Sequence, residues 1–141
     1  MKSSNLNKNS ACGLFVYGSL KREGKHHSML VDLGFSFVTE AFVVGKIVPV
    51  DGEYFGLVQA DDDKSAKVYG EIYLLPTDSA KSRRALMIID EFEDFYPDQL
   101  DRCLYIRDII VPITEDGKSY GPVWTYYAAK EVYLDNYSGK H

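Results

Sequence analysis

The stretch Asp90-Glu91-Phe92-Glu93-Asp94 sets four carboxylates in five consecutive positions. Upstream, Ala85, Ile88, Ile89 and Phe92 repeat at i, i+3, i+4 and i+7, so the acids fall on the last turn of an amphipathic helix. Acids there oppose the negative end of the helix dipole, and Asp90 and Asp94 repel each other at i, i+4 spacing. A carboxyl kept in that place and partly buried by Phe92, Phe95 and Tyr96 has its pKa raised, which suits a general acid or base near neutrality. The competing reading is a solvated acidic helix end with no chemical role. Glu71 is the rival acid: it sits in mid-strand with Tyr69 and Tyr73, either open to solvent or in need of hydrogen-bond donors.

A second stretch, LFVYGSL from Leu14 to Leu20, is a short apolar strand that runs into a glycine and a serine. Gly18-Ser19 either turns the chain or presents consecutive amide N–H groups as an anion-binding nest. Glycine would allow both unusual dihedrals and close approach of a ligand. Ser19 is set aside as a nucleophile, because no histidine or lysine has an evident place beside it. His26 and His27 are adjacent and point apart on a helix, and His141 is terminal, so the histidines do not make a metal site. Cys12 and Cys103 have neither metal-ligand spacing nor the density of a disulfide framework. No metal site is expected from these residues.

The elements that must carry these groups follow from pattern and punctuation. Residues 1–12 are polar and read as a flexible tail, residues 13–128 as a single domain, and residues 129–141 as a polar C-terminal tail. Strands are expected over 14–17, 43–50, 53–60, 68–75, 105–113 and 120–128. Asp51-Gly52 is a turn signal for a hairpin. In 68–75 a period of two puts Val68, Gly70, Ile72 and Leu74 on one face, with Tyr69, Glu71, Tyr73 and Leu75 on the other. A short helix is expected over 25–33, and a longer one starts at Pro76-Thr77-Asp78-Ser79 and is limited by Pro97. About six strands with one or two short helices, not alternating, point to an α+β domain around a curled or closed sheet.

Composition narrows the classes. The 141 residues suffice for one core, and 45% hydrophobic with 26% charged content is ordinary for a globular domain. A net charge of −5 and the lack of a basic-aromatic stripe disfavour nucleic acid as a partner. No apolar run approaches the roughly 18 residues of a membrane span. With no secretory segment near the start, a reducing cytoplasm is the expected compartment.

Taken in order, LFVYGSLKREGKHH, AFVVGKI, VYGEIYLL, IIDEFED, YIRDIIV and VWTYY resemble the gamma-glutamylcyclotransferase-like family, also called AIG2-like, from about Leu14 to Tyr127. Each motif is short and degenerate, but their joint order and spacing are specific. The resemblance implies a small mixed β-barrel with short flanking helices. It implies that Tyr17, Gly18, Ser19 and Leu20 form a loop whose backbone amides hold the γ-glutamyl part of a small-molecule substrate. Asp90 and Glu93 match the family's D-x-x-E helix end, which makes Glu93, not Glu91, the catalytic acid/base. Tyr105 and Tyr126, from the YIR and WTY stretches, are further candidates for the pocket lining, although eleven tyrosines in the chain leave plain core or surface roles open.

Two departures stand out. Family members commonly have glycine after the catalytic glutamate, whereas Asp94 here brings a second charge toward the site. The loop over 94–104 is also longer than many and reshapes the leaving-group side. The implied reaction is cyclisation of a γ-glutamyl group to 5-oxoproline with release of an amine or amino acid, with no metal or cofactor. The alternative is a non-catalytic small-molecule binding module on the same fold, which has no need of a desolvated acid at Glu93.

Overall fold

Four successive apolar or small residues leave a strand no polar face to turn to water, and β1 (Gly13–Val16) is buried at every position. The computed structural model describes residues 11–50, 54–60 and 63–129. Residues 1–10, residues 130–141 and the Asp51-Gly52 turn, for which tails and a turn were expected, lie outside the described residues. After β1 come α1 (His27–Asp32), β2 (Ser36–Val44), β3 (Lys46–Pro49), β4 (Phe55–Val58), β5 (Lys67–Leu74), α2 (Ser79–Phe92), β6 (Tyr105–Ile110) and β7 (Val123–Ala128). A single 3-10 turn, Leu100–Arg102, precedes β6.

The strands form one mixed sheet in the order β2-β5-β1-β7-β4-β3, with β6 also paired to β7. β6 runs antiparallel along all of β7, which also pairs in parallel with β1 at Trp124 and with β4 at Tyr127. The sheet curls into a half-barrel. Its open side is bridged by Phe42 of β2 and Ile113 beyond β6, which exchange two backbone hydrogen bonds of 2.9 Å. This is the small mixed barrel with short helices that the motif series implies.

Alternation then divides the apolar side chains into two clusters. Leu14, Val16, Tyr73, Trp124 and Tyr126 pack with Ala85 and Ile89 of α2 and Leu30 of α1. Phe15, Val43, Leu57, Val68, Ile72 and Val123 form the second cluster. Each large apolar side chain so covered contributes about 1.5–3 kcal/mol. Truncating fully buried Ile89 to alanine should cost about 2–5 kcal/mol and loosen α2 from the sheet.

The longer helix begins as expected, with the Asp78 carboxylate accepting from the Lys81 N–H at 2.9 Å. It ends well before Pro97. Asp94 adopts φ +55°, while Phe95 N–H reaches the Asp90 carbonyl at 2.9 Å and Asp94 N–H the Glu91 carbonyl at 3.1 Å. That pair of bonds around a left-handed residue is a Schellman ending, which glycine fills most easily and aspartate tolerates.

Other boundaries differ for identifiable reasons. The apolar run 43–50 is split at Gly45, where a Cβ would lie 2.8 Å from Leu57 Cδ1, so the sheet has seven strands rather than about six. The first half of β2 escaped the pattern because it is largely uncovered and a bulge between Phe37 and Thr39 interrupts its alternation. In β5 both faces are covered around Glu71, Ile72 and Tyr73, so strict alternation fails, and Tyr69 and Leu74 are left exposed. β7 starts late, after Gly121 at φ +86° and Pro122. No helix among the described residues is long and apolar enough to cross a membrane.

Candidate active site

The four acids at the end of α2 meet four environments. Glu91 is exposed. Asp90 is buried and held by Arg107, whose Nε and Nη2 donate to its two oxygens at 2.7 and 3.1 Å, and by the Tyr126 hydroxyl at 2.6 Å. Asp94 accepts from the Tyr96 hydroxyl at 2.7 Å. Glu93 turns into a cavity of about 550 Å³, and no described residue donates a hydrogen bond to its carboxyl. Burial, then the nearby charges of Asp94 and Asp90, push Glu93 up to about 7.

The source of that burial differs from the sequence reading. Of Phe92, Phe95 and Tyr96, only Phe92 lines the cavity. Phe95 packs into the core and Tyr96 turns its hydroxyl to Asp94. The walls around Glu93 come instead from Tyr17 just after β1, Phe55 of β4, Leu104 and Tyr105 at the start of β6, and Tyr126 of β7.

The loop after β1 lines the same cavity through Tyr17, Gly18, Ser19 and Leu20. A turn closes it, Lys21 N–H donating to the Gly18 carbonyl at 3.1 Å, and none of the described residues accepts from the N–H groups of Gly18, Ser19 or Leu20. Gly18 is not at positive φ, so its glycine is not needed for an unusual dihedral; a Cβ there would meet no atom within 4 Å. Gly24 is the sterically demanded glycine, since its Cβ would fall 2.2 Å from the Ser19 carbonyl oxygen. Among the described residues lining the cavity there is no Arg or Lys, so the groups available to an anion beside this loop are its amides, the Ser19 hydroxyl and His26.

His26 also overturns the reason for setting Ser19 aside. Its Nδ1 lies 3.0 Å from Ser19 Oγ, its backbone N–H donates to the Ser19 carbonyl at 2.9 Å, and its ring stands edge-on to Phe92. The sequence hid this pair because seven positions and a tight turn at Gly24 separate the partners.

The tyrosines support the walls. The Tyr17 hydroxyl accepts from the Leu57 N–H at 3.0 Å and donates to the Tyr126 carbonyl; burial above all raises its pKa. The Tyr105 hydroxyl donates to the Phe55 carbonyl at 2.7 Å, fixing the β3–β4 hairpin against β6. Sequence reasoning missed Arg107, although it shares a strand face with Tyr105; its guanidinium lies 4.3 Å from the Trp124 ring centroid. It also missed Arg22, which donates to Glu71. Burial alone would raise the Glu71 carboxyl, but hydrogen bonds from Arg22 and Tyr73 outweigh it and hold the pKa below the ordinary glutamate value. Among the described residues no cluster of His, Cys, Asp and Glu is arranged to hold a metal ion.

The curled mixed sheet thus encloses one cavity lined both by the loop after β1 and by the desolvated carboxyl of Glu93. The chain belongs to the AIG2-like gamma-glutamyl cyclotransferase family, whose model matches residues 14–140. Among solved structures it is similar to an AIG2-like protein from Mus musculus, with 25% identity and a TM-score of 0.60 over 87% of this chain and 82% of that one. YkqA from Bacillus subtilis aligns at 21% identity and a TM-score of 0.59 over 83% of this chain, which spans 35% of the YkqA chain. A gamma-glutamyl cyclotransferase aligns at 16% identity and a TM-score of 0.54, over 83% of this chain and 66% of that one. The last two share the fold. No curated protein matches this chain.

Proposed function

We propose that the protein cyclises a γ-glutamyl group to 5-oxoproline, releasing the amine or amino acid to which it was joined. The observation that carries the reading is the pairing, across one cavity, of a donor-free glutamate titrating at about 7 with three consecutive loop amides that have no acceptor among the described residues. In this mechanism the amides of Gly18, Ser19 and Leu20 hold the substrate's α-carboxylate, and Ser19 Oγ, backed by His26, adds a hydroxyl. The α-ammonium loses a proton to ionised Glu93, and the freed amine attacks the γ-carbonyl of the same molecule. The C–N bond to the leaving group breaks as Glu93 returns that proton to the departing nitrogen, and the ring nitrogen gives up its second proton, by way of solvent, to the released amine. Holding the γ-glutamyl chain folded supplies most of the advantage, since well-oriented intramolecular attack reaches effective molarities of roughly 10⁵–10⁸ M.

Asp90 and Arg107 act at one remove. Their buried pair fixes the last turn of α2, so that the Glu93 side chain faces the loop. Ser19 is not needed as a nucleophile here, because the substrate carries its own. A pure binding module would have no use for the desolvated acid. Two unpaired cysteines, Cys12 exposed and Cys103 buried, fit a reducing compartment such as the cytoplasm. The test is incubation with γ-glutamyl-amino acids, γ-glutamyl-amines and γ-glutamyl-lysine, reading 5-oxoproline. Release of 5-oxoproline from at least one, abolished by Glu93→Gln, is expected; product formation unaffected by that substitution would overturn the assignment.

A further inference from the structure

Loop amides can recognise a carboxylate only if their directions are set beforehand. Four backbone hydrogen bonds shape the turns inside residues 17–27, and β5 ties those turns to the sheet. Glu71 is a buried strand carboxylate whose two oxygens are both engaged: Oε1 accepts from the Arg22 backbone N–H and the Tyr73 hydroxyl, each at 2.9 Å, and Oε2 accepts from Arg22 Nε at 3.1 Å. The Arg22 guanidinium lies 3.9 Å from the Phe37 ring centroid and reaches Glu40 at 3.1 Å, so the side chain is held at three points. On the other flank of Lys21, His27 Nδ1 lies 2.9 Å from the Leu20 carbonyl oxygen, and the His27 ring packs 5.8 Å from that of Tyr73. Both sides of Lys21 are thus tied to neighbouring residues of one strand.

We propose that Glu71 is the positioning residue of the amide loop: by gripping Arg22 through main chain and side chain together, it sets the direction of the Gly18, Ser19 and Leu20 amides and so determines substrate affinity, without taking part in proton transfer. The inference rests on the cyclotransferase reading of the cavity. Its logic is chemical. A carboxylate accepts from an amide N–H and a guanidinium at once, whereas a glutamine at position 71 would set its NH₂ against a donor of Arg22, Nε or the amide, and the grip would fail on one side.

The experiment compares Glu71→Gln, Arg22→Ala and the double variant, by steady-state kinetics on a turned-over γ-glutamyl compound and by residue-resolved amide exchange without substrate. Glu71→Gln should raise KM by roughly tenfold to a hundredfold, with kcat and the acid limb of the pH profile little changed. It should also speed exchange at the loop's bonded amides, those of Lys21, Arg22, Gly24 and His26, well beyond any change in α2. Arg22→Ala keeps the backbone bond and should raise KM less. The double variant should be no worse than Glu71→Gln alone. An unchanged KM and loop exchange in Glu71→Gln, or exchange accelerated in α2 as much as in the loop, would overturn the proposal. If the wild-type chain turns over no γ-glutamyl compound, the cyclotransferase reading fails by itself, and the exchange arm still decides whether Glu71 orders the loop.

Discussion

Glu93 at the end of α2 and Glu71 in the middle of β5 are both withdrawn from bulk water, yet their carboxyls are driven in opposite directions. Glu93 has no donor among the described residues and two negative neighbours, and it rises to about 7. Glu71 has an amide, a guanidinium and a phenol, and its pKa is lowered despite its burial. Burial alone therefore does not decide what a carboxylate does; the donors placed around it do. The first arrangement suits a group that must gain and lose a proton, the second a group that must hold something still.

The comparison breaks most sharply at Glu93 itself. Glu93→Gln keeps the shape and removes proton transfer, and 5-oxoproline formation should fall on the order of 10²-fold or more. Glu91→Gln, altering an exposed neighbour, should leave the rate unchanged. The reverse pattern in the same assay would assign the acid/base role to the wrong glutamate.

The loop offers a second cut. Gly18→Val introduces a side chain where no protein atom lies within 4 Å, so kcat/KM should fall by roughly ten- to a hundredfold while the melting temperature stays put. Gly24→Ala forces a Cβ against the Ser19 carbonyl and should instead lower stability, by about 1–3 kcal/mol. Ser19→Ala should retain turnover within about tenfold, since it removes one hydrogen bond. Complete loss, with a trapped acyl-enzyme in the wild type, would show that Ser19 and His26 act as nucleophile and base.

Stability against pH should separate the two glutamates without any substrate. A folded pKa raised from 4.5 to about 7 means that Glu93's contribution is fully present below the unfolded value and is lost as pH rises through the folded one. The whole loss is on the order of 3 kcal/mol. Chemical denaturation at pH 8 should therefore find Glu93→Gln at least as stable as wild type. Glu71, with its pKa lowered, contributes above its unfolded value and loses that contribution as pH falls through the folded one. Glu71→Gln should accordingly be destabilised at pH 7, by an amount that shrinks under acid conditions. A Glu93→Gln variant clearly weaker than wild type at pH 8 would mean that donors grip that carboxylate.

The smallest effect concerns Asp94. Its charge ranks behind burial in raising Glu93, so Asp94→Gly should move the acid limb of kcat/KM to lower pH. At φ +55° glycine is free of strain, so the variant should fold at least as stably. An acid limb moving upward would contradict the electrostatic account.

Local chemistry was legible in the chain. The N-cap at Asp78, the amphipathic spacing through Phe92, the strand ending at Gly18 and the D-x-x-E ending at Glu93 depend on residues within a few positions of one another, and pattern reads that range well. The family resemblance rests on the same short motifs, and it carries to the curled mixed sheet. What the tertiary structure decided is the fate of each ionisable group. Asp90 is held by Arg107 and Tyr126, 17 and 36 positions away, and Glu71 is satisfied by Arg22, 49 positions away. Glu93 is left without donors among the described residues by walls that strands β1, β4, β6 and β7 build around it. Desolvation and hydrogen bonding act over a few ångströms of space, and in a curled sheet those ångströms join residues that sequence distance keeps far apart. The acids at the end of α2 look alike along the chain, and only their packed neighbours make one a clamp for the helix end and leave another desolvated with a raised pKa.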